Sequence, residues 1–112
     1  FWPRASWWLL IVGLVTGLLA GAAGAMDYFS SVAIRRIGAA KVHAIGNVTA
    51  LVLVAVNLGV RIENFTDVEG AGAILSAITV AILGVTGWLE GELSFRHGVG
   101  MVARDAPRAP AE

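Results

Sequence analysis

With 112 residues, 57% of them hydrophobic and only 14% charged, this chain lies outside the usual composition of a soluble domain. Its eight basic and eight acidic residues balance in charge. The chain therefore has no excess of positive charge, and nucleic acid is not predicted as a partner. There is no cysteine, which excludes disulfides, thiolate metal sites and cysteine nucleophiles within this sequence.

Three uncharged apolar runs predict three membrane-spanning helices. They cover residues 5–26, 42–60 and 70–89, and a hydrocarbon core about 30 Å thick needs about 20 residues of helix. A soluble three-helix bundle would need a polar face on each helix, and none of the runs has one. We therefore predict an all-α integral membrane fold with helices at about 5–26, 42–60 and 70–90. They form one transmembrane domain, residues 1–102, before a flexible tail at 103–112.

The first run also resembles a secretory signal peptide, because LLAGAAGAMD has the small residues of a cleavage site. Its 22 uncharged residues exceed the apolar core of a signal peptide, about 7 to 15 residues, so we expect a retained helix. Small residues recur on one face of this helix, at Gly13, Gly17, Gly21 and Gly24. Such a face predicts close packing against another helix in lipid.

Charges in the two connections predict the orientation. The first connection carries three cations, Arg35, Arg36 and Lys41. The second carries three carboxylates, Glu63, Asp67 and Glu69. The positive-inside rule then places the first connection, and the arginines of the tail, in the cytoplasm.

The second run carries polar side chains at helical spacing, namely His43, Asn47, Asn57 and Arg61. Because an amide or imidazole facing hydrocarbon lacks partners, this stripe should face protein. For the asparagines we favour hydrogen bonding between helices over a ligand site. The third run also has small residues on one face, among them Gly84, Gly87 and Gly91 towards its end. We therefore predict that this helix packs closely too.

Three antiparallel passes would bring His43 and His97 to the cytoplasmic face. A polar cluster is predicted around them: Asp27, Arg36, Asn47, Glu92 and Arg96. Paired imidazoles could bind haem b or a metal ion, a histidine beside carboxylates could relay protons, and the cations could hold lipid phosphates. The plain alternative is that His97 caps the C-terminal end of the third helix. Gly98 and Gly100 would let the backbone turn sharply there.

No Walker-type phosphate loop, serine nucleophile elbow or HExxH zinc pattern occurs, so a hydrolase of soluble substrates is not predicted. Neither does the sequence have the inverted repeat of a secondary transporter.

Three segments carry a family resemblance: LLIVGLVTGLLAGAAGAMDYF, RRIGAAKVHAIGN and LEGELSFRHGVGM. Together they resemble the bacterial integral membrane family named domain of unknown function 2231. Phe95 stands where that family usually has tyrosine. The resemblance implies a four-helix bundle of which this chain lacks the first helix, whose histidine would lie at the level of His43 and His97.

The resemblance also implies a setting, because some relatives look fused to Rieske-type iron–sulfur domains. Our leading hypothesis is a non-catalytic accessory subunit of a respiratory or photosynthetic electron-transfer complex in the bacterial cytoplasmic membrane. It would pack against lipid and other transmembrane helices, and hold a haem, metal or pigment at His43 and His97. The alternatives are a self-contained b-type haem protein that exchanges electrons with quinone, and a small proton or ion channel.

Overall fold

The computed structural model describes residues 1–62 and 68–99. Four helices follow one another in this part: α1 (Trp2–Ser30), α2 (Val32–Arg36), α3 (Gly38–Val60) and α4 (Ala71–His97). Of these, α1, α3 and α4 are long and apolar enough to cross a membrane. The predicted all-α fold with three membrane-spanning helices is therefore confirmed. The predicted tail at 103–112 lies outside the described residues.

The helix α3 lies between α1 and α4, and in the described residues α1 and α4 do not contact each other. Hydrogen bonds between the helices show their directions. The end of α3 reaches the start of α1, where Arg61 contacts Ser6, and it also reaches the start of α4, where Asn57 contacts Gly72. Both neighbours are thus antiparallel to α3. The topology assumed from the sequence holds, with the three long helices in one layer.

The helices are longer than predicted, and the first connection is mostly helical. No breaker follows Met26, so α1 continues through Asp27 to Ser30, and α3 begins at Gly38. Ser31 has an extended backbone, which ends α1. Its Oγ accepts a hydrogen bond from the N–H of Ile34, 3.4 Å away, and so caps the start of α2. The guanidinium of Arg35 donates to the carbonyls of Tyr28 and Phe29 and so caps the end of α1.

The C-terminal end of α4 has the turn that its glycine predicts. Gly98 has φ of 65° in the left-handed region, which a side chain would disfavour. The N–H groups of Gly98 and Val99 both point to the carbonyl of Leu93, the latter at 3.0 Å. Arg96 and His97 occupy the last turn, where a positive charge is favourable. Gly100 lies outside the described residues.

The buried side chains are few, and they lie along the seam between α3 and α4. They are Ala40, Ala50, Asn57, Arg61, Thr79, Thr86 and Leu93. No residue of α1 is buried. Most large apolar side chains point outward instead, as expected for helices whose solvent is lipid.

Candidate functional site

Two polar groups cross the seam between α3 and α4, one near each end of α3. We name them the His43 site (His43, Asn47 and Thr86) and the Arg61 site (Asn57, Arg61, Ser6, Gly72 and Ser76). Both contain members of the polar stripe predicted on the second run. The stripe therefore faces protein, as expected.

At the His43 site both ring nitrogens have a partner. Nδ1 lies 3.0 Å from the carbonyl oxygen of Thr86 on α4, and Nε2 lies 2.8 Å from the amide nitrogen of Asn47. An amide nitrogen can only donate, so Nε2 accepts and Nδ1 carries the proton that it donates to Thr86. These hydrogen bonds use His43 as polar glue between two helices.

Glycine makes this contact possible. A Cβ atom at Gly46 would overlap the Cγ2 methyl of Thr86, so the two helices approach too closely here for any other residue. Ala40 and Ala50, on the same seam, are buried with 4% and 3% exposure. The close approach carries the imidazole of His43 to a carbonyl of α4, an arrangement that the sequence pattern did not identify.

The structure does not bring His43 and His97 together. His97 is exposed at the end of α4, eleven residues after Thr86, which is about 16 Å along a helix axis at about 1.5 Å per residue. The predicted polar cluster is divided accordingly. Arg96 pairs with Glu92 at 3.3 Å within one turn of α4, while Asn47 contacts His43. Asp27 and Arg36 are exposed on α1 and α2.

This arrangement does not fit one haem or metal ion shared by His43 and His97. In the tautomer that donates to Thr86, the lone pair of the His43 ring is at Nε2, which accepts from Asn47. Within residues 1–62 and 68–99, moreover, no three side chains among His, Asp and Glu group together as metal ligands would. The position of His97 suits the helix-cap alternative better.

At the Arg61 site the side chain of Asn57 is buried, with 1% exposure. Its Nδ2 donates to the carbonyl oxygen of Gly72 at 3.1 Å and to Oγ of Ser76 at 2.8 Å. Asn57 therefore fixes the end of α3 to the first two turns of α4. This is the interhelical hydrogen bonding that we favoured for the asparagines, whereas Asn47 contacts His43 on its own helix.

Arg61 connects all three long helices. It is 2% exposed, and its Nη1 donates to Oγ of Ser6 on α1 at 3.0 Å. Its guanidinium lies against α4, where a Cβ atom on Gly72 would come within 2.7 Å of Nε. The sequence indicated Arg61 but not Ser6 or Gly72. These two positions could not readily be identified from the sequence, because all that α1 and α4 require beside the long side chain of Arg61 is a small residue.

Three buried polar atoms near this end lack a hydrogen-bond partner in the described structure. They are Nε1 of Trp7, Oδ1 of Asn57 and Nε of Arg61. Two of the three belong to the Arg61 site, and the third to the residue after Ser6. By contrast, the ring nitrogens of His43 are both paired.

The predicted packing glycines divide into two groups. Gly17 and Gly21 face α3, where added Cβ atoms would lie 2.7 Å and 3.7 Å from the side chain of Leu51. For the others, no described atom lies within 4 Å of an added Cβ: Gly13, Gly24, Gly84, Gly87 and Gly91. The glycine faces of α1 and α4 are thus only partly used by the contacts described within the chain.

Comparison with known proteins identifies the family. Its model, described as a predicted membrane protein (DUF2231), matches residues 1–103. Neither a curated protein nor a solved structure matches the chain significantly. Because the match covers nearly the whole chain, the protein belongs to the DUF2231 family of predicted membrane proteins.

Proposed function

We propose that this chain is a non-catalytic subunit that joins other transmembrane helices in a larger electron-transfer assembly of the bacterial cytoplasmic membrane. The observation that carries the proposal is the set of open glycines on α4, Gly84, Gly87 and Gly91. They recur at spacings of three and four and therefore lie on one face of the helix.

Such a face has a physical cost that a partner would offset. A glycine inside a helix is destabilising by about 0.5–1 kcal/mol relative to alanine. Within lipid, small residues become favourable where they let another backbone approach closely. Gly46 and Gly72 have that role inside the chain. For Gly84, Gly87 and Gly91 the same role requires a helix beyond the contacts that α4 makes with α3.

The electron-transfer class of this assembly comes from the family resemblance and its iron–sulfur fusions. The sidedness comes from charge. Arg35, Arg36 and Lys41 lie at one end of the helix layer, around the short α2, and we place that end in the cytoplasm. Arg96, at the end of α4, belongs to the same side. Of the acidic residues on the other side, Glu63 and Asp67 lie outside the described residues, as do the tail arginines.

The test is co-purification of a tagged natural protein from its own membranes in a mild detergent. Gly87→Leu is compared with Val85→Leu, a substitution of another exposed residue of α4 that adds a methylene on a different face. We expect the wild type and Val85→Leu to migrate within a larger complex on a native gel. We expect Gly87→Leu to migrate as the free chain, with its own thermal stability not reduced, since nothing described lies within 4 Å of an added Cβ there. A wild-type protein that migrates alone would contradict the proposal.

An absorption spectrum of the same preparation, oxidised and then dithionite-reduced, tests the cofactor hypotheses beside a metal analysis. A reduced haem band that disappears in His43→Ala or His97→Ala would favour the self-contained haem protein instead. The hydrogen bonds of His43 and its distance from His97 lead us to expect a colourless, metal-free polypeptide. A channel finds little support here, since His43 and Asn57 are used between helices.

A further inference from the structure

The Arg61 site holds a positive charge that its described surroundings do not neutralise. A guanidinium does not lose its proton in proteins, and a buried charge is costly unless an opposite charge compensates it. In residues 1–62 and 68–99 no carboxylate lies within ion-pair distance of Arg61, whose hydrogen-bond acceptor there is the neutral hydroxyl of Ser6. Oδ1 of Asn57, the unpartnered acceptor nearby, is neutral too.

A second positive element lies beside this cation. The guanidinium contacts Gly72 in the first turn of α4, where the first N–H groups of a helix have no intrahelical acceptor and the helix dipole is positive. Gly70 occupies the N-cap position with φ of 73° and has no side chain to accept from them. A cation at the N-terminus of a helix is the reverse of the favourable arrangement. An anion held by both would make the arrangement favourable.

Further donors are available at the same level. Nε of Arg61 is buried without a partner, and so is Nε1 of Trp7, the neighbour of Ser6 in α1. Arginine and a helix N-terminus both suit phosphate, because each offers several N–H donors to several oxygens. Indole rings are enriched where lipid head groups lie. The donor set therefore suits a phosphate better than a single carboxylate.

We propose that Arg61 and the N-terminal turn of α4, with Trp7 of α1 as a further donor, bind a phosphate group at the membrane face opposite to α2. The phosphate can come from the head group of an anionic phospholipid or from free phosphate. The ligand would supply the acceptors that Nε of Arg61 and Nε1 of Trp7 lack. It would also give α1, α3 and α4 a common anion at the end where Arg61 joins them.

The experiment uses the protein in maltoside micelles, a detergent without phosphate. Thermal unfolding is measured with added inorganic phosphate, with added short-chain phosphatidylglycerol, and with sodium chloride at matched ionic strength. In parallel, NMR of ¹⁵N-labelled protein follows the Nε–H of Arg61 and the four indole N–H groups. We expect the unfolding midpoint to rise with one of the phosphates and the Arg61 and Trp7 resonances to shift. Those of Trp2, Trp8 and Trp88 should remain in place.

The matched variants are Arg61→Gln and Arg36→Gln, the latter removing an exposed arginine at the other membrane face. We expect binding to weaken at least about tenfold in Arg61→Gln, as for the loss of one charge-assisted hydrogen bond, and to be unchanged in Arg36→Gln. If Arg61→Gln does not fold, Trp7→Phe decides, because it removes one donor and keeps the ring. Phosphate-dependent stabilisation should then weaken severalfold.

The arms separate the outcomes. A response to inorganic phosphate identifies free phosphate as sufficient, and a response to phosphatidylglycerol alone identifies the lipid head group. A wild-type protein that responds to neither overturns the proposal, and so does an equal response in Arg61→Gln. A further arm measures the double variant Glu63→Gln/Asp67→Asn without phosphate. If this variant is less stable than the wild type, the anion that Arg61 needs is a carboxylate of the chain itself. That result also overturns the proposal.

Discussion

The helix α3 has two neighbours and holds them in different ways. Against α4 it approaches closely at Gly46, forms hydrogen bonds through His43 and Asn57, and buries side chains of both helices. Against α1 it lays the side chain of Leu51 over Gly17, and no residue of α1 is buried. A hydrogen bond from Arg61 to Ser6 also crosses that second seam.

The difference follows from the solvent. Lipid gives two helices no hydrophobic reason to associate, so a seam is closed by small residues, by packing and by hydrogen bonds. The seam between α3 and α4 uses all three, and we interpret these two helices as the stable unit of the chain. The helix α1 meets α3 where Leu51 packs over Gly17 and where Arg61 donates to Ser6, and no residue of α1 is buried. It is the helix that a partner could most readily displace or complement.

The largest expected effect comes from opening the tighter seam. Gly46→Leu would place side-chain atoms where Thr86 now lies, and forcing extra atoms into a packed seam costs about 3 kcal/mol. The free energy of unfolding is measured by titrating sodium dodecyl sulfate into maltoside micelles and following circular dichroism. Gly59→Leu is the control on the same helix, since no described atom lies within 4 Å of an added Cβ there. An equal loss in both variants would contradict the close approach.

A smaller effect should come from the hydrogen bond that closes the other end of the same seam. Asn57→Leu and Ser76→Ala each remove one side of a 2.8 Å contact, and the double variant completes a thermodynamic cycle. We expect a coupling free energy of about 0.6–1.7 kcal/mol, the range for such bonds within membranes. The cycle corrects for what each substitution does alone. A coupling near zero would mean that Asn57 is held by Gly72 and packing only.

Hydropathy and periodicity predicted most of this fold. The three spans, their antiparallel order and the inward face of the stripe from His43 to Arg61 follow from apolar length and helical spacing alone. The helix ends could not be predicted as well, because residues 27–30 contain no breaker, and Ser31 ends α1 by a local backbone turn. Apolar length shows where lipid is crossed, and a helix can continue beyond it.

The candidate site was harder to predict, because contacts between helices depend on rotation and depth. Placing His43 and His97 at one face ignored that α4 continues about two turns beyond its apolar run before it reaches His97. The partners of Arg61 are a serine and a glycine, residues that occur in many membrane helices for other reasons. The glycines of α1 all lie on one helix face, so the sequence pattern cannot tell which of them make contact. Gly17 and Gly21 do so because Leu51 lies opposite them, and Gly13 and Gly24 stay open.

The smallest expected effect tests that last distinction on α1. Gly13→Ala adds a methyl group where no described atom lies within 4 Å, so we expect a gain of about 0.5–1 kcal/mol from the better helix former. Gly17→Ala adds the same group 2.7 Å from Cδ2 of Leu51, which must rotate away, and we expect that gain to be cancelled. The measurement is the same detergent titration. Equal gains in both variants would mean that α1 does not pack against Leu51, and that the seam between α1 and α3 is weaker than described. If Gly17→Ala instead lowers the free energy of unfolding by more than Gly13→Ala raises it, Leu51 is held in place. The seam between α1 and α3 would then be tightly packed, as the seam between α3 and α4 is.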